Sequence, residues 1–194
     1  MLKSLQNPVL ILVRGIPGSG KTYYAENLVG AFSQAEAILL DPDTTDYNSQ
    51  EYAFHVNQQL SEGVDSKLHP YRFLRQKAFS AIAEHKIIIW NQPFSNLEIL
   101  QKVTARLEEY AKEQKTTLPI LIIEMSLDTE TARSRVEQRK KNGGHGPSEA
   151  TFNRFVSNYA SAAPLGYEII ELYGHNDPQQ TIPQVIDRIN KLRS

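Results

Sequence analysis

The sequence predicts an α/β fold, a three-layer sandwich with helices on both faces of a parallel β-sheet. Five short apolar runs alternate with helical patterns along the chain, an order typical of parallel βαβ crossovers rather than hairpins. Two runs, Ile87-Ile-Ile-Trp90 and Ile120-Leu-Ile-Ile123, are apolar without interruption, as strands covered on both faces should be. The first run also leads directly into a glycine-rich loop and then into the start of a helix.

The predicted strands follow the apolar runs. The first run has the length and the β-branched content of a buried strand. The five strands are placed at residues 9–14, 37–40, 86–91, 118–125 and 168–172. Together they predict a five-stranded parallel sheet.

Seven helices are predicted between and after these strands. The fifth has clear ends, with Asp128 and Glu130 in its first turn and Lys140-Lys141 before a glycine stop. Pro178 and Pro183 crowd the start of the seventh, which we place at residue 182. The helices are predicted at residues 21–32, 51–60, 70–85, 96–114, 129–141, 148–161 and 182–192.

Length and composition indicate one domain, residues 1–194, with 40% hydrophobic and 22% charged residues. A formal charge of −1 argues against a whole surface built to hold nucleic acid, and the absence of cysteine excludes disulfides and thiolate chemistry. Residues 1–5 precede an apolar run that is short and interrupted by Arg14, so we expect neither a signal peptide nor a membrane span. We expect a cytoplasmic protein.

The stretch from Gly15 to Thr22 carries the clearest chemical signal. It fits the pattern G-x-x-x-x-G-K-[ST] in full, between a strand and a helix. Glycines let the backbone N–H groups face an anion, and the helix N-terminus adds roughly half a positive charge. Lys21 would reach the β- and γ-phosphates, and Thr22 would ligate Mg²⁺. We expect a nucleoside triphosphate to contact Gly15, Pro17, Gly18, Ser19, Gly20, Lys21 and Thr22.

Asp41-Pro42-Asp43 follows the second predicted strand. Both carboxylates should therefore lie at the carboxyl edge of the sheet, where the glycine loop also lies. There Asp43 would accept the proton of an acceptor hydroxyl, and Asp41 would order Mg²⁺. The alternative is a turn whose acids cap a helix.

Three arginines, Arg133, Arg135 and Arg139, lie on the predicted helix before a glycine-rich break at residues 142–147. Arg135 and Arg139 are four residues apart and share a helix face, from which they would stabilise a transferring phosphoryl group. Residues 135–150 would then form a lid over the phosphates. A solvated charged face followed by a plain turn is the alternative.

Further polar residues are candidates for the acceptor side. Arg72 and Arg75, on the helix that starts at Pro70, would hold an acceptor phosphate. Asn91 and Gln92, at the end of the third strand, would hydrogen-bond water or the acceptor. The histidine spacing does not fit a zinc site.

With these motifs, most of the chain resembles the P-loop kinase group that includes zeta toxins and polynucleotide kinases. The resemblance is carried by the loop of residues 15–22 and by Leu40-Asp-Pro-Asp-Thr44. It also rests on the helix beginning His69-Pro-Tyr71 and on residues 132–148, which resemble the group's arginine-bearing lid.

The resemblance implies a P-loop nucleoside triphosphate hydrolase fold with strand order 2-3-1-4-5, a small helical lid, and ATP or GTP with Mg²⁺ as cofactors. Asp43 would be the acceptor-activating aspartate, and Arg135 or Arg139 the lid arginine. There is one departure, since the third strand ends in Trp90-Asn91-Gln92 where the group usually carries an acid. We expect a monomer or weak dimer, with an antitoxin-like partner conceivable by analogy alone.

Three functions remain open from the sequence. The first is a kinase that transfers the γ-phosphate to a hydroxyl of a small molecule, nucleotide or nucleotide sugar. The second is a polynucleotide 5′-hydroxyl kinase, against which the near-neutral charge counts. The third is a nucleotide-binding regulatory protein with little catalysis, suggested by the missing third-strand acid.

Overall fold

A computed structural model describes residues 6–194, so residues 1–5 and the leader prediction that concerns them lie outside it. Its centre is one five-stranded sheet in which every pair of neighbouring strands is parallel. The strands are β1 (Val9–Arg14), β2 (Ala37–Leu40), β3 (Ile87–Asn91), β4 (Ile120–Ser126) and β5 (Glu168–Tyr173). Their order, β2-β3-β1-β4-β5, confirms the predicted fold class and strand order.

Seven α-helices surround this sheet. They are α1 (Lys21–Gly30), α2 (Gln50–Ser61), α3 (His69–Ala83), α4 (Leu97–Glu113), α5 (Thr129–Lys141), α6 (Glu149–Asn158) and α7 (Pro178–Arg193). Short side chains cap several of them; for example, Asp128 accepts from the backbone N–H of Thr131 at the start of α5. Two single-turn 3₁₀ helices, Ser66–Leu68 and Ala163–Leu165, complete the chain.

Two predicted helix boundaries differ from the structure by three residues or more. The seventh helix begins at Pro178, earlier than predicted, because Asp177 caps it and proline is tolerated in a first turn. Pro183 therefore lies further inside this helix rather than at its start. The sixth helix ends at Asn158, three residues early, because Tyr159 is extended with φ −76° and ψ 121°.

Each face of the sheet has its own apolar core. Side chains of alternate strand positions point to opposite faces, so Leu10 and Leu12 pack with α3 and α4, whereas Ile11 and Val13 pack with α1 and α7. A third, separate cluster lies under α5 and α6, where Ala132, Val136 and Phe152 meet Ile16 of the glycine loop. The α5–α6 unit therefore has a small core of its own.

A buried ion pair joins distant segments at the carboxyl end of β1. Arg14 is fully buried, and its Nη1 lies 2.5 Å from Oε1 of Glu124, its register partner on β4. Its Nη2 donates to the carbonyls of Phe94 (3.0 Å) and Ala160 (2.9 Å). Arg14 thus ties the loop after β3 and the segment returning from α6 to the centre of the sheet.

The two edge strands are less buried than the inner strand β1. The inner strand β1 is buried along its whole length. The edge strand β2 has four residues, and β5 carries Glu168 and Glu171, with Glu168 bound to Arg188 of α7. From residue 6 onward, no helix is both long and apolar enough to cross a bilayer.

Candidate active site

The glycine loop connects β1 to the first turn of α1, as the motif predicts. The helix begins at Lys21, and its N-cap residue Gly20 has a left-handed backbone with φ 95°. Within the described part of the chain, no side chain caps this helix and no acid occupies its first turn. Its first N–H groups and its dipole are therefore open to an anion.

Two other segments enclose the loop so closely that side chains there would collide. Gly18 has φ 86°, and a Cβ on it would strike the backbone carbonyl of Ala132 in α5. A Cβ on Gly174, just after β5, would strike the carbonyl of Ser19. The loop is therefore held between α5 and the β5–α7 connection, a confinement that only glycine permits.

The loop forms one wall of a cavity of about 1420 Å³ at the carboxyl edge of the sheet. This is the edge at which ligands bind in open α/β sheets. Five of the predicted nucleotide contacts line it, namely Pro17, Gly18, Gly20, Lys21 and Thr22. The other two, Gly15 and Ser19, are buried behind them.

Lys21 lies among charges of both signs. Desolvation lowers the pKa of Lys21 to about 8, while Asp43 raises it, Arg139 lowers it and Asp41 raises it in turn. Its Nζ donates to the carbonyl of Ile16 over 3.4 Å, a weak contact. The ammonium group is therefore close to the predicted acids and to Arg139, without a strong partner among residues 6–194.

The two aspartates after β2 lie in different surroundings. Asp41 is buried, and its Oδ1 accepts from the backbone N–H of Asp43 at 2.8 Å. The backbone N–H of Thr45 and the Thr45 hydroxyl both bond the Asp41 carbonyl, at 3.1 and 2.6 Å. Asp43 is exposed and lines the cavity. The loop is thus fixed through Asp41, and Asp43 is presented to the cavity.

Asn91, which the sequence predicted to contact water or the acceptor, is buried. It is buried at the end of β3, and its Nδ2 donates to Oδ2 of Asp41 at 2.5 Å and to Oγ1 of Thr22 at 3.0 Å. Gln92 lines the cavity, and its Oε1 accepts from the Trp90 indole at 3.1 Å. The structure therefore places Asn91 beside the predicted metal residues and Gln92 at the cavity wall.

The three α5 arginines are divided among different partners. Nη1 of Arg135 donates to the Gly174 carbonyl at 2.9 Å, and the side chain lines the cavity. Arg139 also lines the cavity and makes no hydrogen bond or ion pair in the part of the chain that the structure describes. Arg133 instead donates to Asn153 and lies over the Phe152 ring, so it connects α5 to α6.

Arg72 and Arg75 are not brought to this cavity. Nη1 of Arg72 donates to Oε1 of Gln59 at 2.9 Å, which joins α3 to α2. Arg75 lies beside Arg106 at a separate surface hollow between α3 and α4. The prediction placed them on the correct helix, but the face of α3 that enters the cavity carries Pro70 and Tyr71 instead.

Several cavity residues carry no sequence motif. The wall also includes Tyr47, Lys67, Phe94, Ile99 and Phe155. These residues come from four separate segments, so no local spacing could have grouped them. A usable signal was the position of Phe94 and Ile99 directly after β3, at the ligand edge of the sheet.

The residues present fit a nucleoside triphosphate with Mg²⁺. The Thr22 hydroxyl and the Asp41 carboxylate are hard oxygen donors of the kind that Mg²⁺ prefers. The Ser19 hydroxyl is fully buried and finds no partner among residues 6–194. No cluster of three or more His, Asp or Glu side chains suited to a free cation occurs in that range. Most ligands of any Mg²⁺ held here would thus be water and phosphate oxygens.

Comparison with solved structures shows the same fold. A gluconokinase from Sinorhizobium meliloti 1021 has TM-score 0.54 and 14% identity, covering 97% of this chain and 95% of its own. A structure of the Pnkp1/Rnl/Hen1 RNA repair complex has TM-score 0.57 and 18% identity, and the match covers 81% of this chain and 45% of the other chain. The PezAT toxin–antitoxin system of Streptococcus pneumoniae has TM-score 0.55 and 16% identity, covering 98% and 89%.

Comparison by sequence gives a match to a protein family but none to a curated protein. No curated protein matches this chain. A protein-family model described as an AAA domain matches residues 10–162, which include β1, the glycine loop, both aspartates and the α5–α6 unit. This match spans well over half of the chain, and it includes the P-loop on which the resemblance to the kinase group rested. The chain therefore belongs to the AAA domain family, as a P-loop protein with a kinase-like fold.

Proposed function

We propose that this chain is an ATP-dependent kinase that transfers the γ-phosphate to a hydroxyl of a small molecule, nucleotide or nucleotide sugar. One observation carries the proposal. Lys21, Asp43 and Arg139 line the same cavity, and it is large enough to hold a donor and an acceptor together. GTP would bind the same loop. We also propose a place in the cytoplasm, with which the cysteine-free sequence is compatible.

The donor half of the site would bind the triphosphate. The open N–H groups of α1 and the Lys21 ammonium would hold the β- and γ-phosphates. Thr22 and Asp41 would hold Mg²⁺, which would neutralise charge that develops on those phosphates. Arg135, through its bond to the Gly174 carbonyl, would keep the P-loop and the β5–α7 connection together around the nucleotide.

The acceptor half would activate the hydroxyl and shield it from water. Asp43 is presented to the cavity by the fixed Asp41 loop, where it would accept the hydroxyl proton. Arg139 has its donors free for the transferring group, and His145 faces the cavity from the glycine break. Closure of the α5–α6 unit, which has its own apolar cluster, would bring these residues over the phosphates.

The test is a screen of labelled γ-phosphate transfer from ATP into nucleotides, nucleotide sugars, polyols and RNA 5′ ends. We expect Lys21→Ala to abolish ATP binding. We expect Asp43→Asn to retain binding while transfer falls at least about 100-fold, as for the loss of a general base. Asp187→Asn, on the exposed side of α7, is the matched control and should transfer at the wild-type rate.

Three results would change the assignment. Unchanged transfer by Asp43→Asn would remove the general-base role. A steep loss of activity with salt, together with labelling of RNA ends, would favour the polynucleotide kinase alternative. The third function is favoured by one observation, the amide of Asn91 at the position of the usual third-strand acid. Tight ATP binding without transfer to any hydroxyl or to water would establish that regulatory protein.

A further inference from the structure

The end of β3 carries a buried amide between the two residues expected to serve the metal. Asn91 is 3% exposed and lies opposite Val13 in the sheet register. Its Nδ2 reaches Oδ2 of Asp41, at the end of β2, and Oγ1 of Thr22, in the first turn of α1. One side chain thus connects three elements that meet at the floor of the cavity.

The orientation of this amide is fixed by its partner. An ionised carboxylate can only accept hydrogen bonds, so the nitrogen of Asn91 must face Asp41. The amide oxygen therefore points away from Asp41. Among residues 6–194, Oδ1 of Asn91 is buried and has no hydrogen-bond partner. A buried oxygen left without a donor costs about 1–3 kcal/mol, which the bonds of the nitrogen to Asp41 and Thr22 offset.

An acid at this position would destabilise the same arrangement. A carboxylate at residue 91 would lie against the carboxylate of Asp41, and like charges at such a distance repel. The amide replaces that repulsion with a hydrogen bond. The floor of the cavity then carries one carboxylate, from β2, instead of one from each strand.

We propose that Asn91 is a positioning residue that holds Asp41 beside Thr22, so that the carboxylate of the nucleotide–metal site comes from β2 rather than β3. The proposal rests on the nucleotide site described under Proposed function. It adds to that site the residue that orients its metal-side carboxylate.

The test measures Mn²⁺ binding by electron paramagnetic resonance, with and without a non-hydrolysable ATP analogue. Wild-type protein should bind Mn²⁺ tightly only with the analogue. Asn91→Ala and Asp41→Asn should each weaken Mn²⁺ binding at least about tenfold, the scale at which outer-shell partners act. Asn57→Ala, an exposed amide on α2, is the control and should bind Mn²⁺ as the wild type does.

An exchange of the two side chains separates positioning from packing. The double variant Asp41→Asn/Asn91→Asp again places one carboxylate and one amide beside Thr22. We expect it to recover Mn²⁺ affinity to within about threefold of the wild type, whereas each single change does not. Analogue affinity in EDTA should stay within about twofold in all variants, because Lys21 and the loop backbone are unchanged.

Each outcome bears on a different statement. If the wild type binds no nucleotide, the function proposed above fails. If it binds nucleotide and Mn²⁺ but Asn91→Ala leaves Mn²⁺ affinity unchanged, the positioning role of Asn91 alone is overturned. Failure of the exchanged variant to recover affinity while folded would do the same. If circular dichroism shows that Asn91→Ala is unfolded, Asn91→Ser replaces it, with the same expected loss and the same contrary result.

Discussion

Two aspartates separated by one proline have different surroundings in this chain. Asp41 is held by the backbone N–H of Asp43 and by the Asn91 amide, so its carboxylate is fixed. Asp43 has an exposed carboxylate that lines the cavity. The backbone of Asp43 is bound to the carboxylate of Asp41, while the Asp43 side chain stays exposed. Exchanging the two surroundings would therefore require rebuilding the loop. At the scale of residues, this loop presents one fixed and one exposed carboxylate, to which the proposed function assigns the metal and the acceptor.

A methyl group at residue 174 should weaken nucleotide binding. Gly174 lies so close to the Ser19 carbonyl that a Cβ would overlap it, and the Ser19 backbone cannot yield without distorting the loop. We expect Gly174→Ala to lower ATP affinity at least tenfold in equilibrium titrations. Gly30→Ala, on α1 with no heavy atom within 4 Å of the added Cβ, should bind ATP as the wild type does. Equal affinities for the two variants would contradict this role of Gly174.

Sequence reasoning reached the functional residues unevenly, for physical reasons. Lys21, Thr22 and Asp43 could be found because loop and strand-end motifs are local in the chain. The partners of Arg135 and Asn91 could not, since Gly174 is 39 residues from Arg135 and Thr22 is 69 residues from Asn91. Arg72 and Arg75 were assigned to the acceptor because a helix pattern does not reveal which face enters a cavity.

At the scale of elements, buried histidines join α2 and α3 into one unit. Nε2 of His55 donates to the His69 carbonyl at 3.2 Å, and the His69 ring contacts the Val64 carbonyl at 3.0 Å. The rings of Tyr52 and Phe73 pack beside them, with centroids 5.1 Å apart. Burial lowers the pKa of His55, against the bond to His69 that raises it. Protonation of His55 therefore opposes the packing of α2 on α3.

This unit should make the protein less stable in mild acid. A lowered pKa in the folded state means that the unfolded chain binds the proton better. The stability contributed by neutral His55 is therefore present above its ordinary pKa of 6.5 and lost as the pH falls below it. His55→Gln keeps a donor for the His69 carbonyl but does not titrate. We expect a smaller fall in Tm between pH 7 and pH 5 for this variant than for the wild type, measured by circular dichroism. Equal falls would contradict the role of His55.

At the scale of the whole molecule, Arg14 holds together parts of the chain that contribute to different halves of the site. Its Glu124 partner also accepts from the backbone N–H of Ala162 at 2.7 Å and from the Ser161 hydroxyl at 3.1 Å. The guanidinium lies 4.6 Å from the centre of the Tyr159 ring. The loop at Phe94 and the return from the α5–α6 unit are thus fixed to one point behind the P-loop. Because these contacts span up to 146 residues, no sequence pattern predicted them.

Removing this arginine should destabilise the fold more than removing the whole pair. Arg14→Met leaves the buried Glu124 carboxylate without its cation, and we expect a loss of about 3–5 kcal/mol in the free energy of unfolding. The double variant Arg14→Met/Glu124→Leu removes both charges and should lose less than the single one. Urea unfolding followed by fluorescence measures both changes. A double variant less stable than Arg14→Met would show that the uncompensated charge is not the cause.

The edge strands of the sheet also bear on how copies of this chain behave toward one another. An exposed strand edge offers unpaired backbone groups to which another sheet can add. Here one edge is a strand of only four residues, and the other carries Glu168 and Glu171, with Arg188 bound across Glu168. A second sheet would find little length to pair with at β2 and would have to desolvate charge at β5. Both edge strands of the parallel sheet that holds the site therefore resist edge-to-edge aggregation.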